Sequence, residues 1–208
     1  MACPVLRSKE SFAPNETAPL IDDREPLCYI LPQTVRHVAI AVKQLTKLRI
    51  PFFVSGRGRS CGYAPLDVEK RVCLNISALN QVVLGPRGEA VSFGAGASWG
   101  DVYAALNPLG LTVAGGRSGN LNVGDHVQTG GISWFSGEYG WVSDNVLEFE
   151  LATPTGKIVR ASADHNADVF HSLKGMRGTF GVVVRIRMAT IKTSCLYGGT
   201  ICLSLIHI

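Results

Sequence analysis

Residues 32–62 read PQTVRHVAIAVKQLTKLRIPFFVSGRGRSCG. Thr34 stands where a helix cap is expected, just after Pro32, and Val35, Val38, Ala39, Val42 and Leu45 recur behind it at helical spacing. Ile50-Pro-Phe-Phe-Val54 then reads as a short buried strand. It feeds straight into Gly56-Arg-Gly-Arg-Ser-Cys-Gly62. Glycine at this density lets a ligand come close to the main chain, and Arg57 and Arg59 add positive charge. The stretch raises the question of a phosphate cradle.

Outward from this corner, helices and strands are mixed. Val72, Leu74 and Ile76 alternate as a strand, and Val82–Leu84 and Ala90–Phe93 flank the turn Gly85-Pro-Arg-Gly88 as a hairpin. Ser98-Trp-Gly-Asp101 has the form of a capping box, with Val102, Ala105 and Leu106 as the apolar stripe behind it and Pro108 and Gly110 as the stop. Leu147-Glu-Phe-Glu-Leu151 alternates with one wet face, Pro154-Thr-Gly156 turns into a strand at Ile158–Arg160, and residues 166–174 form a short helix. Val182, Val184, Ile186 and Met188 alternate with Arg185 and Arg187 in a long strand. There is no strict βαβ rhythm, so the fold class is α+β.

The chain has 208 residues, 46% hydrophobic and 17% charged, enough to bury a sizeable core in one large domain or a domain plus a small lobe. A net charge of +4 without a dense Lys/Arg run suits an anionic small ligand and gives no nucleic-acid signature. The six cysteines form no CxxC pair and lack metal-ligand spacing to histidine, so no zinc site is expected. Sequons at Asn15 and Asn75 lean toward secretion, residues 1–20 lack an apolar leader, and the compartment stays open. The closing apolar stretch is too short to span a bilayer, so no membrane partner is expected.

Known cradles fail on spacing. Thr155-Gly156-Lys157-Ile158 lacks the first glycine and the hydroxyl of a Walker loop. Gly56–Gly62 and Gly94–Gly100 each hold one residue too many for a dinucleotide fingerprint, and Pro65 follows the first where a helix should run. Any single loop reads more readily as a mere turn. Four glycine-bearing segments together, 56–62, 115–124, 130–140 and 175–181, suggest convergence on one extended anionic ligand.

The order and text of these segments resemble the flavin domain of the vanillyl-alcohol oxidase and p-cresol methylhydroxylase (PCMH-type) superfamily. PQTVRHVAIAVKQLTKLRIPFFVSGRGRS is similar to its opening and GGRSGNLNVG to its second loop. GGISWFSGEYGWVSDNVLEFELATPTGKIVRASAD resembles a central segment of the berberine-bridge-enzyme-like branch, and FHSLKGMRGTFGVVVRIRM its closing helix and strand. The resemblance implies FAD held in extended form between two α+β subdomains. It implies pyrophosphate at Gly56, Arg57, Gly58, Arg59 and Ser60, cradled by main-chain N–H groups. Gly115, Gly116, Ser118, Gly119, Asn120, Val123 and Gly124 would lie beside the isoalloxazine, with Gly130 and Gly131 in the segment that follows. Asn145, Val146, Gly181, Val182 and Val183 would run along the adenine and ribityl portions.

Two anchors of that family are replaced. Arg59 stands where many relatives carry the histidine bonded to the flavin 8α-methyl, and Ser118 where some carry a cysteine bonded to C6, so the flavin is expected to be non-covalent. Arg59 is suited to a charge-assisted bond with pyrophosphate, and a solvated loop arginine is the alternative reading. Arg57, Asp125, Thr129, Met176 and Arg177 replace further glycines of the pattern, and Asp125 would repel a phosphate it faced. His126 fills a slot where plant-type relatives also carry histidine, and a structural role is expected of it.

The resemblance implies an irregular arm over 1–25, the FAD-binding domain over 26–194, and the start of a substrate lobe at 195–208, where the chain reads as truncated or as ending in artefactual text. The catalytic base belongs to that lobe, so none is named, and the chain alone is expected to be inactive. Two functions remain. One is an oxidoreductase domain passing hydride from a small molecule to flavin N5, with reoxidation by dioxygen. The other is a member without flavin, serving as a scaffold or as a cofactor-free rearrangement enzyme. Substrate and oligomeric state are not readable from these residues.

Overall fold

A computed structural model describes residues 5–6, 26–58 and 67–193. Helix α1, Val35–Lys47, starts at Thr34, whose hydroxyl accepts from the His37 N–H, and buries Val38, Ala39, Ala41, Val42 and Leu45. Strands β1 (Val5–Leu6), β2 (Cys28–Ile30), β3 (Phe52–Ser55) and β4 (Val72–Asn75) form one sheet in the order β1-β2-β4-β3. β4 pairs in parallel with both β2 and β3. Parallel strands need covering on both faces, and all of β4 is buried.

The second sheet is antiparallel, in the order β5-β6-β10-β8-β9, from β5 (Val82–Leu84), β6 (Ala90–Gly94), β8 (Val146–Ala152), β9 (Ile158–Ser162) and β10 (Val182–Ala189). β7 (Leu111–Thr112) and β11 (Ile191–Lys192) make a small third ladder. Helix α2, Trp99–Leu106, carries the expected capping box: Ser98 Oγ accepts from the Asp101 N–H, and the Asp101 carboxylate accepts from the Ser98 N–H. Helices α3 (Val123–Gln128), α4 (Ser136–Tyr139) and α5 (Ala167–Leu173) are short. α1 packs on β8 and β10, and one continuous core joins it to Leu74, Phe93, Trp99, Phe149 and Ile186.

Two expectations are corrected. The alternation of β8 breaks at Leu147, 42% exposed, because Arg187 pairs Glu148 while Met188 pairs Val146. Leu147 is the extra residue of that register shift and is turned to solvent. Asn75 of the second sequon is 1% exposed, with its side-chain oxygen held by the Ser77 N–H. A side chain so enclosed cannot carry a glycan in the folded chain, which removes that sign of secretion; Asn15 lies outside the described residues. Cys28 and Cys73 are free thiols on neighbouring strands. Burial foremost, then Cys28, pushes the Cys73 thiol up to about 12. A group so reluctant to ionise serves as core.

Candidate functional site

The carboxyl ends of β3 and β4 bring Ser55, Gly56 and Asn75 to one edge of the parallel sheet, the side on which such sheets bind ligands. Facing them across a cavity of about 400 Å³ are α3 and the start of β10. The near wall is largely apolar: Val42, Phe52, Phe53, Val54 and Gly56. The far wall is more polar: Asn122, Gly124, Asp125, Gln128, Arg177, Gly178, Thr179 and Gly181–Val183.

Asn122 builds this wall. Its Nδ2 donates to Ala95 O (3.1 Å) and Ala97 O (3.0 Å), and its Oδ1 accepts from the Asp125 N–H at 2.9 Å, capping α3. Gly56 lies so close that a Cβ there would collide with the Asn122 amide. The close approach read into Gly56 from the sequence is therefore made by a protein side chain. The Asn122 and Asp125 spacing is an N-cap signal that the glycines around it concealed.

A second hollow of about 640 Å³ lies along α3, lined by Arg117, Ser118, Leu121, His126, Thr129, Gly131, Ile132, Trp134 and Trp141. α3 is thus a wall of both hollows: Asp125 and Gln128 face the first, and His126, with Thr129 just past the helix end, the second. Arg117 stacks over the Trp134 ring at 5.5 Å. His126 is buried, and its Nδ1 accepts from Trp99 Nε1 at 3.1 Å, which puts the proton of the neutral ring on Nε2. Burial, with Arg117 second, holds its pKa below the ordinary 6.5.

The folded chain resists charging His126, so the unfolded chain takes up the proton first as pH falls. Its contribution to stability is complete above the ordinary imidazole value and erodes as pH drops below it. The urea midpoint should therefore fall between about pH 7.5 and about pH 5.5, and fall less in His126→Gln, which keeps an acceptor for Trp99. Equal slopes in the two proteins would show that His126 accepts its proton in the fold.

The expected site residues divide. Gly56, Gly124, Gly181, Val182 and Val183 meet at the first cavity, and Ser118 and Gly131 at the second. Gly115 and Gly116 pack on the Trp99 indole, where a Cβ on either would strike the ring. Gly119 O accepts from the Gly100 N–H, Asn120 O lies against Gly58, and Val123 is wholly buried. Gly130 has open space beside it. Asn145 ties Tyr139 O and Trp141 O together, and Val146 is buried at the start of β8; neither lines a cavity. The Arg57 N–H is already spent on Gly96 O, and its guanidinium pairs with Asp101 at 3.4 Å. Arg59 and Ser60 lie outside the described residues. Among the described residues no cluster of His, Cys, Asp or Glu suits a metal, and no helix is long and apolar enough to cross a membrane.

Residues 26–162 match a family described as FAD binding domain. The chain is 33% identical over 196 residues to the FAD-dependent monooxygenase tpcD of Cochliobolus heterostrophus, covering 94% of this chain and 38% of that protein. It thus spans well under half the length of that relative. Its fold matches 6-hydroxy-D-nicotine oxidase of Arthrobacter nicotinovorans with a TM-score of 0.80 at 22% identity, over 91% of this chain and 42% of the other. It also matches the glucooligosaccharide oxidase of Acremonium strictum, which carries a 6-S-cysteinyl, 8α-N1-histidyl FAD, with a TM-score of 0.73 at 21% identity, over 86% and 38% of the two chains. The fold is the mixed, PCMH-type FAD-binding fold that the sequence led us to expect.

Proposed function

The chain belongs to the FAD-binding domain family, and from that membership we propose that residues 26–194 are the cofactor-holding domain of an oxidase-type oxidoreductase acting on a small organic molecule. The observation that carries this reading is α3, a wall shared by two hollows. One hollow runs from apolar Phe52 to charged Arg177; the other is rimmed by Arg117, Ser118, His126 and two tryptophans. A flat base, a diphosphate and a second flat ring in extended order suit that sequence of surfaces. FAD supplies a hydride acceptor at N5 that dioxygen restores; the protein supplies binding, orientation and exclusion of water. In the second hollow the neutral His126 offers an Nε2–H, Arg117 a positive charge and Trp134 and Trp141 flat apolar faces. A flavin-free scaffold is not favoured, since the family match runs across the whole lining of the second hollow and that of the first from Val42 to Pro154.

The flavin is held without a covalent bond in this reading. The glucooligosaccharide oxidase has a thioether and a histidyl link; Ser118 has no thiol for the first, and arginine occupies position 59 for the second. Protein purified with FAD should be yellow, and acid precipitation should send all the flavin into the supernatant. Flavin fluorescence left on the denatured polypeptide would refute non-covalent attachment. A colourless protein that takes up no added FAD would refute the cofactor itself.

A further inference from the structure

The polar end of the first cavity carries an ion pair between Asp125, at the start of α3, and Arg177, on the loop between α5 and β10. The Asp125 side chain is 12% exposed and that of Arg177 39%. Arg177 is the one cation among the described residues lining this cavity. We propose that Arg177 is the group that receives the phosphates of the bound dinucleotide, and that Asp125 holds it until the ligand binds and then yields it. The assignment rests on the FAD reading above.

Main-chain donors where α3 begins are already used. The N–H groups of Val123 and Gly124 donate to Ala97 O and Ala95 O, that of Asp125 to the Asn122 side chain, and that of His126 to Asn122 O. Next to Gly56 of the opposite wall, the Arg57 N–H is spent on Gly96 O. A phosphate that meets the start of α3 therefore finds those amides taken, and the cation beside them is Arg177, whose guanidinium can bind phosphate oxygens in bidentate fashion. The loop has room for the exchange. Gly178, next to Arg177, has φ +75° with nothing within 4 Å of the space a Cβ would take. The exchange swaps one anion for another on the same cation, so the Asp125 carboxylate competes with the ligand and lowers its affinity.

Calorimetric titration of the full chain with FAD, ADP and riboflavin tests this. Arg177→Gln should weaken FAD and ADP by about ten- to a hundredfold and leave riboflavin unchanged, as loss of a charge-assisted bond to phosphate would. Arg177→Lys should recover part of the loss. Asp125→Asn should bind FAD several times more tightly than the natural chain, with unfolding curves confirming that each variant folds. FAD binding unaffected by Arg177→Gln overturns the assignment. So does an Asp125→Asn variant weakened as much as Arg177→Gln, which would make the pair a structural brace. A natural chain that binds none of the three ligands overturns the FAD reading and this assignment together, whereas binding with an inert Arg177 overturns only the latter.

Discussion

Trp99→Ala is expected to lower the stability of the fold by about 3–5 kcal/mol, a large fraction of what a domain of this size possesses. Trp99 is wholly buried, edge-on to Phe93 at 5.9 Å and stacked on Tyr103 at 6.0 Å. The backbone at Gly115 and Gly116 runs directly over its ring, and its Nε1–H is the partner of His126 Nδ1. Alanine removes the packing and leaves a buried imidazole nitrogen without its donor, and the rigid neighbours cannot close the gap. Tyr103, burial pushing its pKa upward, donates its hydroxyl to Gly116 O at 2.6 Å and holds the same loop from the other side. Trp99→Phe keeps an aromatic ring but loses the N–H, and should cost about 1–3 kcal/mol. Urea unfolding followed by circular dichroism measures both. A Trp99→Ala midpoint close to that of the natural chain would show that the loop from Gly115 is not seated on this ring.

The second large effect is expected at Asn122. Asn122→Ala removes the cap of α3 and the two donors to Ala95 O and Ala97 O. Those carbonyls keep one partner each, from the Gly124 and Val123 N–H groups, so the loss is about 2–4 kcal/mol rather than the full desolvation of both. Flavin affinity should fall with it, because Gly56 packs on this amide and α3 walls both hollows. Asn122→Asp keeps the cap acceptor but turns a carboxylate toward two carbonyl oxygens. It should be the less stable of the two near neutral pH and recover part of the difference as the pH is lowered and the carboxylate protonates. An Asp variant as stable as the natural chain would show that Nδ2 contributes nothing.

Much of this molecule was legible locally. Thr34 caps α1 and the Ser98–Asp101 box opens α2 because each signal is complete within a few residues. In β10, Arg185 and Arg187 are exposed while Ile186 and Met188 are buried, since a strand's two faces follow from its period alone. The glycine segments, read together and in order, carried the family and its cofactor. Their individual purposes were not legible. Glycine reads the same whether a ligand, an indole or an amide comes close, and here Trp99 meets Gly115 and Gly116 while Asn122 meets Gly56.

α3 was missed because a six-residue helix has too few turns to show a period, and its cap depends on carbonyls at Ala95 and Ala97, far back in the chain. Asp125 and Arg177 each read as a glycine lost from a phosphate loop, and only the fold turned two losses into an ion pair. The sequence by itself determined the longer elements, the α+β class and the family, because caps, periods and motif order are short-range properties that survive without neighbours. The tertiary structure alone decided which glycines face a cavity, that Asn75 is closed to glycosylation, and that charge at the polar end of the site comes from a side chain. Those are questions of what lies within a few ångströms, and distant segments come that near only when the core packs.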